Sequence, residues 1–445
     1  MRREAKKAQG WREAWITGTT AVGVMLPVFL MVPLLLQQAG MHAAGSVTAL
    51  AVTSIVGTLI MAWRGLPYLV LPSMSIAVWL VWIVMLAGGL NWQLVLAVQA
   101  AASLAGLLLW LSPMRKRLPR LLPQPVRWAV PAAVGVMLVL YGLVTARIVV
   151  HSPWAVTMLG SFQDPRAYLA LTGILVTVVL LVRHVRMALL IGGVVTATLA
   201  LIEGFWVLPD APFLFPEGLD HTACMLAPWA PAPKDTGWMT AGMVGLVLVL
   251  VMSSLGWSMA ETICPGREHG RTIAALFGVS LLGACLGCLP VTIAPAVVPE
   301  KQENPPGFGE KEQKNLGRRT ALVMAFWIPV LLGCAPAVRS MAEFPVMSVP
   351  VLTGLGFLLL VRQFHFARSY SWDMRSGITA ACIVVLALSW NLTAALGCGI
   401  LAWVFLGAAA GIGKPAAERS ADDGLSWAIR VLALVYLVYF IFADI

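Results

Sequence analysis

Two apolar segments, one in each half of the chain, are interrupted by a proline close to a hydroxyl side chain. The prolines are Pro72 and Pro290, and a second pair, Pro125 and Pro345, opens two later apolar segments. The spacings nearly agree, because 290 − 72 = 218 and 345 − 125 = 220. Two markers with almost one spacing predict an internal repeat. Interrupted apolar segments at matching positions of a repeat are typical of secondary transporters.

Composition assigns the chain to the membrane proteins. Of the 445 residues, 60% are hydrophobic and 11% are charged, against about 25% charged residues in soluble domains. Apolar segments of roughly 17–25 residues can cross a bilayer as helices. The sequence predicts an all-α polytopic membrane protein with fourteen spans, at 14–36, 47–63, 66–87, 93–112, 126–145, 167–183, 187–207, 238–262, 272–288, 289–299, 319–337, 344–361, 376–390 and 393–412. The tenth is too short for a full crossing and is expected to be a half-helix sheltered by protein.

Charge sets the expected orientation. Lys and Arg concentrate in the N-terminal segment and in every second loop, which places the N-terminus in the cytoplasm and the protein in the cell inner membrane. The net charge of +10 then reflects loops that face anionic lipid, and nucleic acid is not an expected partner. Because seven spans per repeat is an odd number, the second repeat begins on the other side of the bilayer. We therefore expect a 7+7 inverted repeat.

The expected organisation has four parts. Residues 1–207 form the first seven-span repeat, 208–237 a proline-rich extracytoplasmic connector, and 238–412 the second repeat. Residues 413–445 form a cytoplasmic linker and an extra C-terminal apolar helix. Its apolar stretch from 425 to 445 is either a fifteenth span or an amphipathic helix on the inner surface, and one arginine does not decide between them.

The interrupted spans three and ten are the predicted binding site. Proline removes a backbone donor and disfavours helix at the preceding residue. Broken helices at the midplane expose amides, carbonyls and helix N-termini that can hold a small polar solute. Ser73, Ser75 and Thr292 would add hydroxyl groups beside Pro72 and Pro290. The plainer alternative is that both prolines only kink their helices.

Glu261 is the most conspicuous acid in the apolar segments, near the cytoplasmic end of span eight. A carboxylate at membrane depth marks a binding or proton site by default, so Glu261 is the candidate coupling group. The alternative is an interfacial residue that reaches water beside Arg267. Six scattered histidines and seven scattered cysteines form no metal-ligand pattern, and no Walker loop is present. The sequence therefore predicts no catalytic site, metal or cofactor.

The layout and motifs together resemble the nucleobase–cation symporter-2, or nucleobase–ascorbate, transporter family, over most of residues 14–412. The resemblance lies in the Pro-Ser stretch of span three, the basic segment before span five, Gly287-x-x-Pro290-x-Thr292, and Phe344-Pro345-Val346-Met347. It implies a core domain of spans 1–4 and 8–11 and a gate domain of spans 5–7 and 12–14. It also implies short strands in spans three and ten that meet at the substrate, and a homodimer paired through the gate domains.

The family's substrate-reading pattern in span eight falls on Ser253, Gly256 and Trp257, with a serine and a tryptophan in place of its acids. The chain therefore resembles a divergent member. The leading hypothesis is proton- or sodium-coupled symport of a nucleobase such as uracil or xanthine. Two alternatives stay open, namely a small-anion permease of the sulfate or bicarbonate type on the same fold, and a transport-inactive membrane scaffold or sensor.

Overall fold

A computed structural model describes residues 2–442 with several gaps. The gaps are 117, 119–121, 153, 155–156, 208, 210, 212, 214–217, 225–236, 268, 297–309, 342–343, 369 and 412–422. The distal end of the predicted tenth span and the loop that follows it lie outside the described residues.

The membrane helices keep the order expected from the sequence, and we number them by the predicted spans. Their bounds are span 1 at Arg2–Val24 and Leu26–Gln38, 2 at Ala43–Trp63, 3 at Met74–Val78 continued by a π-helix at Trp79–Ala87, 4 at Trp92–Leu111, 5 at Gln124–Thr145, 6 at Pro165–Val182, 7 at Ala188–Ile202, 8 at Gly237–Ile263, 9 at Gly270–Leu286, 11 at Glu310–Gly333, 12 at Val349–Arg368, 13 at Met374–Leu386 and 14 at Leu392–Gly411. A last helix, which we call the C-terminal helix, occupies Asp423–Phe442. Within the described ranges, nine helical segments are long and apolar enough to cross a membrane, and five shorter apolar helices accompany them.

Local sequence explains where these helices begin. Spans 5 and 6 carry a proline in their first turn, where its missing N–H costs nothing. The carboxylates of Asp164 and Asp373 accept hydrogen bonds from the backbone N–H of Arg166 and Ser376, at 2.9 and 3.1 Å, and so cap spans 6 and 13.

Span 10 differs from its prediction as a half-helix. Its described part consists of strand β4 at Val291–Ile293 and an irregular stretch at 294–296, with no helical turn between 289 and 296. Strand β4 pairs antiparallel with strand β1 at Val70–Pro72, and Leu71 lies opposite Thr292. Strands β2 at Val149–His151 and β3 at Thr157–Leu159 form a separate antiparallel pair between spans 5 and 6. A backbone interrupted at membrane depth must find partners within the protein, and β1 and β4 supply them to each other. One strand from each half of the chain thus meets its counterpart, as an inverted repeat requires.

The strands also correct the spacing of the repeat. The offset between their first residues is 291 − 70 = 221, whereas the offset between the prolines is 290 − 72 = 218. Pro72 is the last residue of β1, and Pro290 comes before β4 begins. The two prolines therefore mark the two breaks without being structurally equivalent.

The helices pack in two groups that match the expected core and gate. Span 11 packs against spans 1 and 2, and span 9 against spans 2 and 4, with span 8 beside span 4. In the other group, span 12 packs against spans 5, 6 and 7, and span 13 against spans 5 and 14. Spans 5 and 12 cross where Gly135 and Gly356 meet, since a Cβ on Gly356 would lie 2.5 Å from the Gly135 carbonyl oxygen.

The C-terminal helix packs along spans 14 and 8. Tyr436 is fully buried against Gly397 of span 14. The indole N–H of Trp79, in span 3, donates a 2.9 Å hydrogen bond to the hydroxyl of Tyr439. These contacts with three membrane helices favour the fifteenth-span interpretation over an amphipathic surface helix.

The bundle has one strongly basic end, which we call the basic end. Its arginines follow or begin the spans that terminate there, namely Arg64, Arg127, Arg183, Arg267 and Arg362. Arg64 and Arg271 are close enough to interact, and burial, together with Arg271, lowers the pKa of Arg64.

Candidate functional site

The paired strands form one wall of a cavity of about 50 Å³ between the two helix groups. The core group supplies its lining from spans 1, 3, 8 and 10, and the gate group from spans 5 and 12 and from the turn before span 14. These residues are Val24, Met25, Val28, Leu71, Pro72, Ser73, Met74, Ser75, Val78, Val134, Met137, Leu138, Tyr141, Leu255, Met259, Thr292, Ile293, Ala294, Pro295, Leu352 and Trp390. The cavity has room for ordered water but not for a drug-sized ligand, whose pockets measure about 300 Å³ or more.

The half-helix of span 3 begins at the cavity. Ser73 is its N-cap residue with extended backbone, and its side chain makes no capping hydrogen bond. The Ser73 N–H donates to the Pro290 carbonyl at 3.4 Å, and the Ala294 N–H donates to the Leu69 carbonyl at 2.9 Å. The first N–H groups of a helix lack partners inside it, so this end presents donors and the positive end of the helix dipole.

The hydroxyls predicted for the site are at the cavity. Ser73, Ser75 and Thr292 all line it. The buried Ser75 hydroxyl donates to the sulfur of Met137 at 3.8 Å, which joins span 3 of the core group to span 5 of the gate group. Pro290 does not line the cavity but positions β4 through the hydrogen bond from Ser73.

The side chains of span 8 that were expected at the site face elsewhere. Ser253 accepts a 3.0 Å hydrogen bond from the indole of Trp110 in span 4. Trp257 stacks on Trp110 with ring centroids 5.9 Å apart, and a side chain on Gly256 would point towards Leu276 of span 9. Leu255 and Met259 line the cavity instead. A shift of two residues turns a helical side chain by about 200°, so the family motif and the cavity occupy different faces of span 8.

Glu261 lies at the basic end, away from the cavity lining. Its carboxylate accepts a hydrogen bond from the Gly266 N–H at 3.1 Å, and its second oxygen lies 3.1 Å from Nε2 of the buried His269. The pair joins the end of span 8 to the start of span 9. The side chain of Glu261 is 43% exposed, so it can exchange protons with water.

Contacts between the two groups lie on both sides of the cavity along the membrane normal. At the basic end, the buried Gln363 amide of span 12 donates to the Thr262 hydroxyl of span 8 at 3.2 Å. Towards the opposite end, the Tyr141 hydroxyl of span 5 donates to the sulfur of Met31 in span 1 at 2.8 Å. Separation of the core and gate groups at either end would break one of these contacts.

Sequence reasoning missed the gate group's share of the site, in particular Met137, Tyr141 and Trp390. The segment next to Trp390, Asn391-Leu392-Thr393, matches the N-glycosylation pattern at its first residue, Asn391. That side chain instead accepts a 2.9 Å hydrogen bond from the Ala394 N–H at the start of span 14. Thr393 is fully buried, which is incompatible with a glycosylated surface loop.

Comparison with known proteins supplies relatives along most of the chain, although no family model matches. The guanine/hypoxanthine permease PbuO of Bacillus subtilis is 26% identical over 404 residues, which cover 86% of this chain and 88% of PbuO. A putative permease of Methanocaldococcus jannaschii is 23% identical over 96% of this chain and 94% of its own length. The adenine permease AdeP of Escherichia coli is 24% identical over 44% of each chain.

Solved structures show the same fold at low identity. The transmembrane domain of the cyanobacterial bicarbonate transporter BicA superposes with a TM-score of 0.57 and 13% identity, over 87% of this chain and 97% of that domain. SLC26A9 gives a TM-score of 0.55 with 9% identity, over 88% of this chain and 65% of that one. The fold is therefore the inverted-repeat fold of these transporters. The chain is a multi-pass membrane protein. Its sequence relatives confirm the resemblance to the nucleobase–cation symporter-2, or nucleobase–ascorbate, transporter family, and it is a distant homologue of nucleobase permeases.

Proposed function

We propose that this protein is a secondary transporter that carries a nucleobase, of the purine type, through the cavity between its core and gate groups. The observation that carries the proposal is the chemistry of the lining, where four methionines, a tyrosine and a tryptophan surround three hydroxyls and a helix N-terminus. Soft sulfur and aromatic side chains favour the faces of a flat ring. Hydroxyls and free backbone donors suit its polar edge. The relatives named as guanine/hypoxanthine and adenine permeases support the same substrate class.

A small anion is the second candidate, because the half-helix N-terminus favours negative charge and BicA carries bicarbonate. The cavity argues against it, since the described residues of its lining include no arginine, lysine or histidine. An anion withdrawn from water into an apolar cavity needs a full counter-charge or several hydrogen bonds. A neutral base needs only hydrogen-bond partners for the polar groups along its edge.

For coupling, we propose that a proton or sodium gradient drives uptake and that Glu261 is the coupling group. Glu261 and His269 form an acid–base pair at the end of the same helix that brings Leu255 and Met259 to the cavity. Protonation of this pair would change the hydrogen bonds that hold spans 8 and 9 together. It would act on the site through the position of span 8, without contact with the substrate.

Uptake into proteoliposomes tests substrate and coupling together. Labelled guanine, hypoxanthine, adenine and uracil are offered under an imposed proton or sodium gradient, with bicarbonate and sulfate flux measured in parallel. We expect base uptake that Thr292→Val reduces, whereas Thr198→Val, an exposed threonine on span 7, leaves it unchanged. Glu261→Gln should abolish the response to the gradient. Anion flux without base uptake would favour the second candidate, and flux of neither solute would favour a transport-inactive scaffold.

Orientation and assembly are part of the proposal. We place the basic end and the N-terminus in the cytoplasm of the inner membrane, with 1–207 and 238–412 as the two repeats and the gate groups of two copies paired in a homodimer. Cys224, an exposed cysteine of the connector, should then react with a membrane-impermeant maleimide in intact cells. Reaction only after permeabilisation would reverse the orientation. Light scattering in detergent reports the oligomeric state.

A further inference from the structure

The turn between spans 13 and 14 has an uncommon residue at its tightest point. Span 13 ends in a 3₁₀ turn at Ala387–Ser389, and Trp390 then adopts φ 64° and ψ 10°. Its N–H donates to the Ala387 carbonyl at 3.0 Å, and Asn391 caps the next helix. Helices that end in this left-handed conformation normally have glycine or asparagine there, because these residues adopt it at a low conformational free-energy cost. A bulky side chain there is an outlier, and such outliers cluster at functional sites.

The same residue brings its ring to the cavity. Trp390 lines the cavity, and its ring centroid lies 4.9 Å from that of Tyr141 at an interplanar angle of 60°. The Tyr141 hydroxyl is held by the sulfur of Met31, which fixes that ring. Trp390 itself is half-buried. The indole therefore brings an aromatic surface to the cavity beside Tyr141.

We propose that Trp390 is the residue that stacks on the transported base, with Tyr141 holding the indole at an angle. This inference rests on the proposed nucleobase function and adds a residue that recognises the ring itself. The left-handed backbone belongs to a residue that places a large flat side chain of the gate group at the cavity, which the strand pair of the core group also lines. Stacking is tolerant of base identity, since every base has an aromatic face. Trp390 then contributes affinity for flat heterocycles in general, and the hydroxyls and backbone donors of span 3 select among them.

Two substitutions separate this role from a purely structural one. Trp390→Gly removes the ring and relieves the left-handed backbone, which offsets part of the packing lost with the half-buried indole. Trp390→Phe keeps an aromatic face in the same backbone. Trp154→Leu is the matched control, because Trp154 is 96% exposed and does not line the cavity.

The test is calorimetric binding of guanine and hypoxanthine to the purified full-length protein, with melting temperature measured on the same samples. We expect Trp390→Gly to weaken binding by about 10-fold or more, the size of a lost base–aromatic contact. Trp390→Phe should lose only a few-fold, and Trp154→Leu nothing. A folded Trp390→Gly protein that binds guanine as the wild type does would overturn the inference while leaving the transport function intact. A wild-type protein that binds none of the bases overturns the proposed function, and the inference with it.

Discussion

The contact between Gln363 and Thr262 joins the two groups at the basic end, and we expect Gln363→Met to favour their separation there. The amide is 6% exposed, and its 3.2 Å hydrogen bond joins span 12 of the gate group to span 8 of the core group. Methionine keeps a similar length and flexibility but cannot donate. Thr262 keeps its own hydrogen bond to the Ser258 carbonyl at 2.8 Å, so span 8 retains its local structure.

The expected size follows from what the bond is worth. A buried neutral hydrogen bond contributes about 0.5–1.5 kcal/mol net. Because the bond exists only while this end is closed, its loss shifts the closed–open equilibrium by the same free energy, or about 2- to 13-fold. A shift of that size leaves the fold intact.

Cys264 provides the assay, because it lies two residues beyond Thr262 and is half-buried. Burial raises the pKa of its thiol, and opening would both expose the sulfur and favour the reactive thiolate. In a chain whose other cysteines are replaced by serine, the rate of maleimide reaction at Cys264 should rise about 2- to 13-fold in Gln363→Met. Gln163→Met, at an exposed glutamine towards the other end, should change nothing. An unchanged or slower rate in Gln363→Met would show that this contact does not hold the two groups together.

Three further substitutions probe stability. Gly397→Ala would place a Cβ 2.3 Å from the ring of Tyr436 and should cost about 1–3 kcal/mol, seen as a lower melting temperature. Gly377→Ala, with open space around it, is the control. Equal losses of melting temperature in the two variants would disprove the close approach of Gly397 to Tyr436. Gln99→Met removes hydrogen bonds of 3.2 and 3.0 Å to two buried carbonyls and should lower the free energy of unfolding by about 1–3 kcal/mol. A melting temperature equal to that of the wild type would contradict this expectation. Hydrogen bonds from Ser376 hold the pKa of the Asp373 carboxyl below its usual range. The ionised carboxylate therefore stabilises the folded protein fully above the pKa of the unfolded chain, about 4, and this stabilisation is lost as the pH falls through the lower pKa of the folded protein. Asp373→Asn keeps the cap without titrating, so the stability gap between it and the wild type should change in that window, and parallel pH profiles would refute the assignment.

The break in each repeat was predictable from the sequence because proline acts locally. Pro72 and Pro290 mark the places where the helix fails, whatever surrounds them. The strand pairing was expected only from the family resemblance, since the residues of span 10 themselves predicted a half-helix. The register did not follow, since it depends on hydrogen bonds between two segments in different halves of the chain and not on the local effect of each proline.

The side chains of the site were harder to predict than the fold. Hydroxyls next to the breaks, such as Ser73 and Thr292, were found because the break itself brings them to the cavity. Span 8 is apolar on all sides, so its sequence does not show which face meets the site, and Ser253 packs against Trp110 while Leu255 reaches the cavity. The position of Trp390 at the cavity depends on a left-handed turn that the local sequence does not predict. Long-range packing decides both cases.

The site is divided between two groups of helices that contact each other at both ends of the cavity, and this division has a mechanical consequence. The strand pair and the half-helix belong to the core group, whereas Met137, Tyr141 and Trp390 belong to the gate group. The cavity of about 50 Å³ lies between the two groups, so a base enters it only when they separate. Any separation that admits the substrate also removes part of its binding surface, so affinity and conformation are linked. Because Gln363–Thr262 and Tyr141–Met31 join the groups at opposite ends, a base bound between the groups is reached from one side only while the other contact holds. We therefore expect alternating access to arise from the making and breaking of these two contacts.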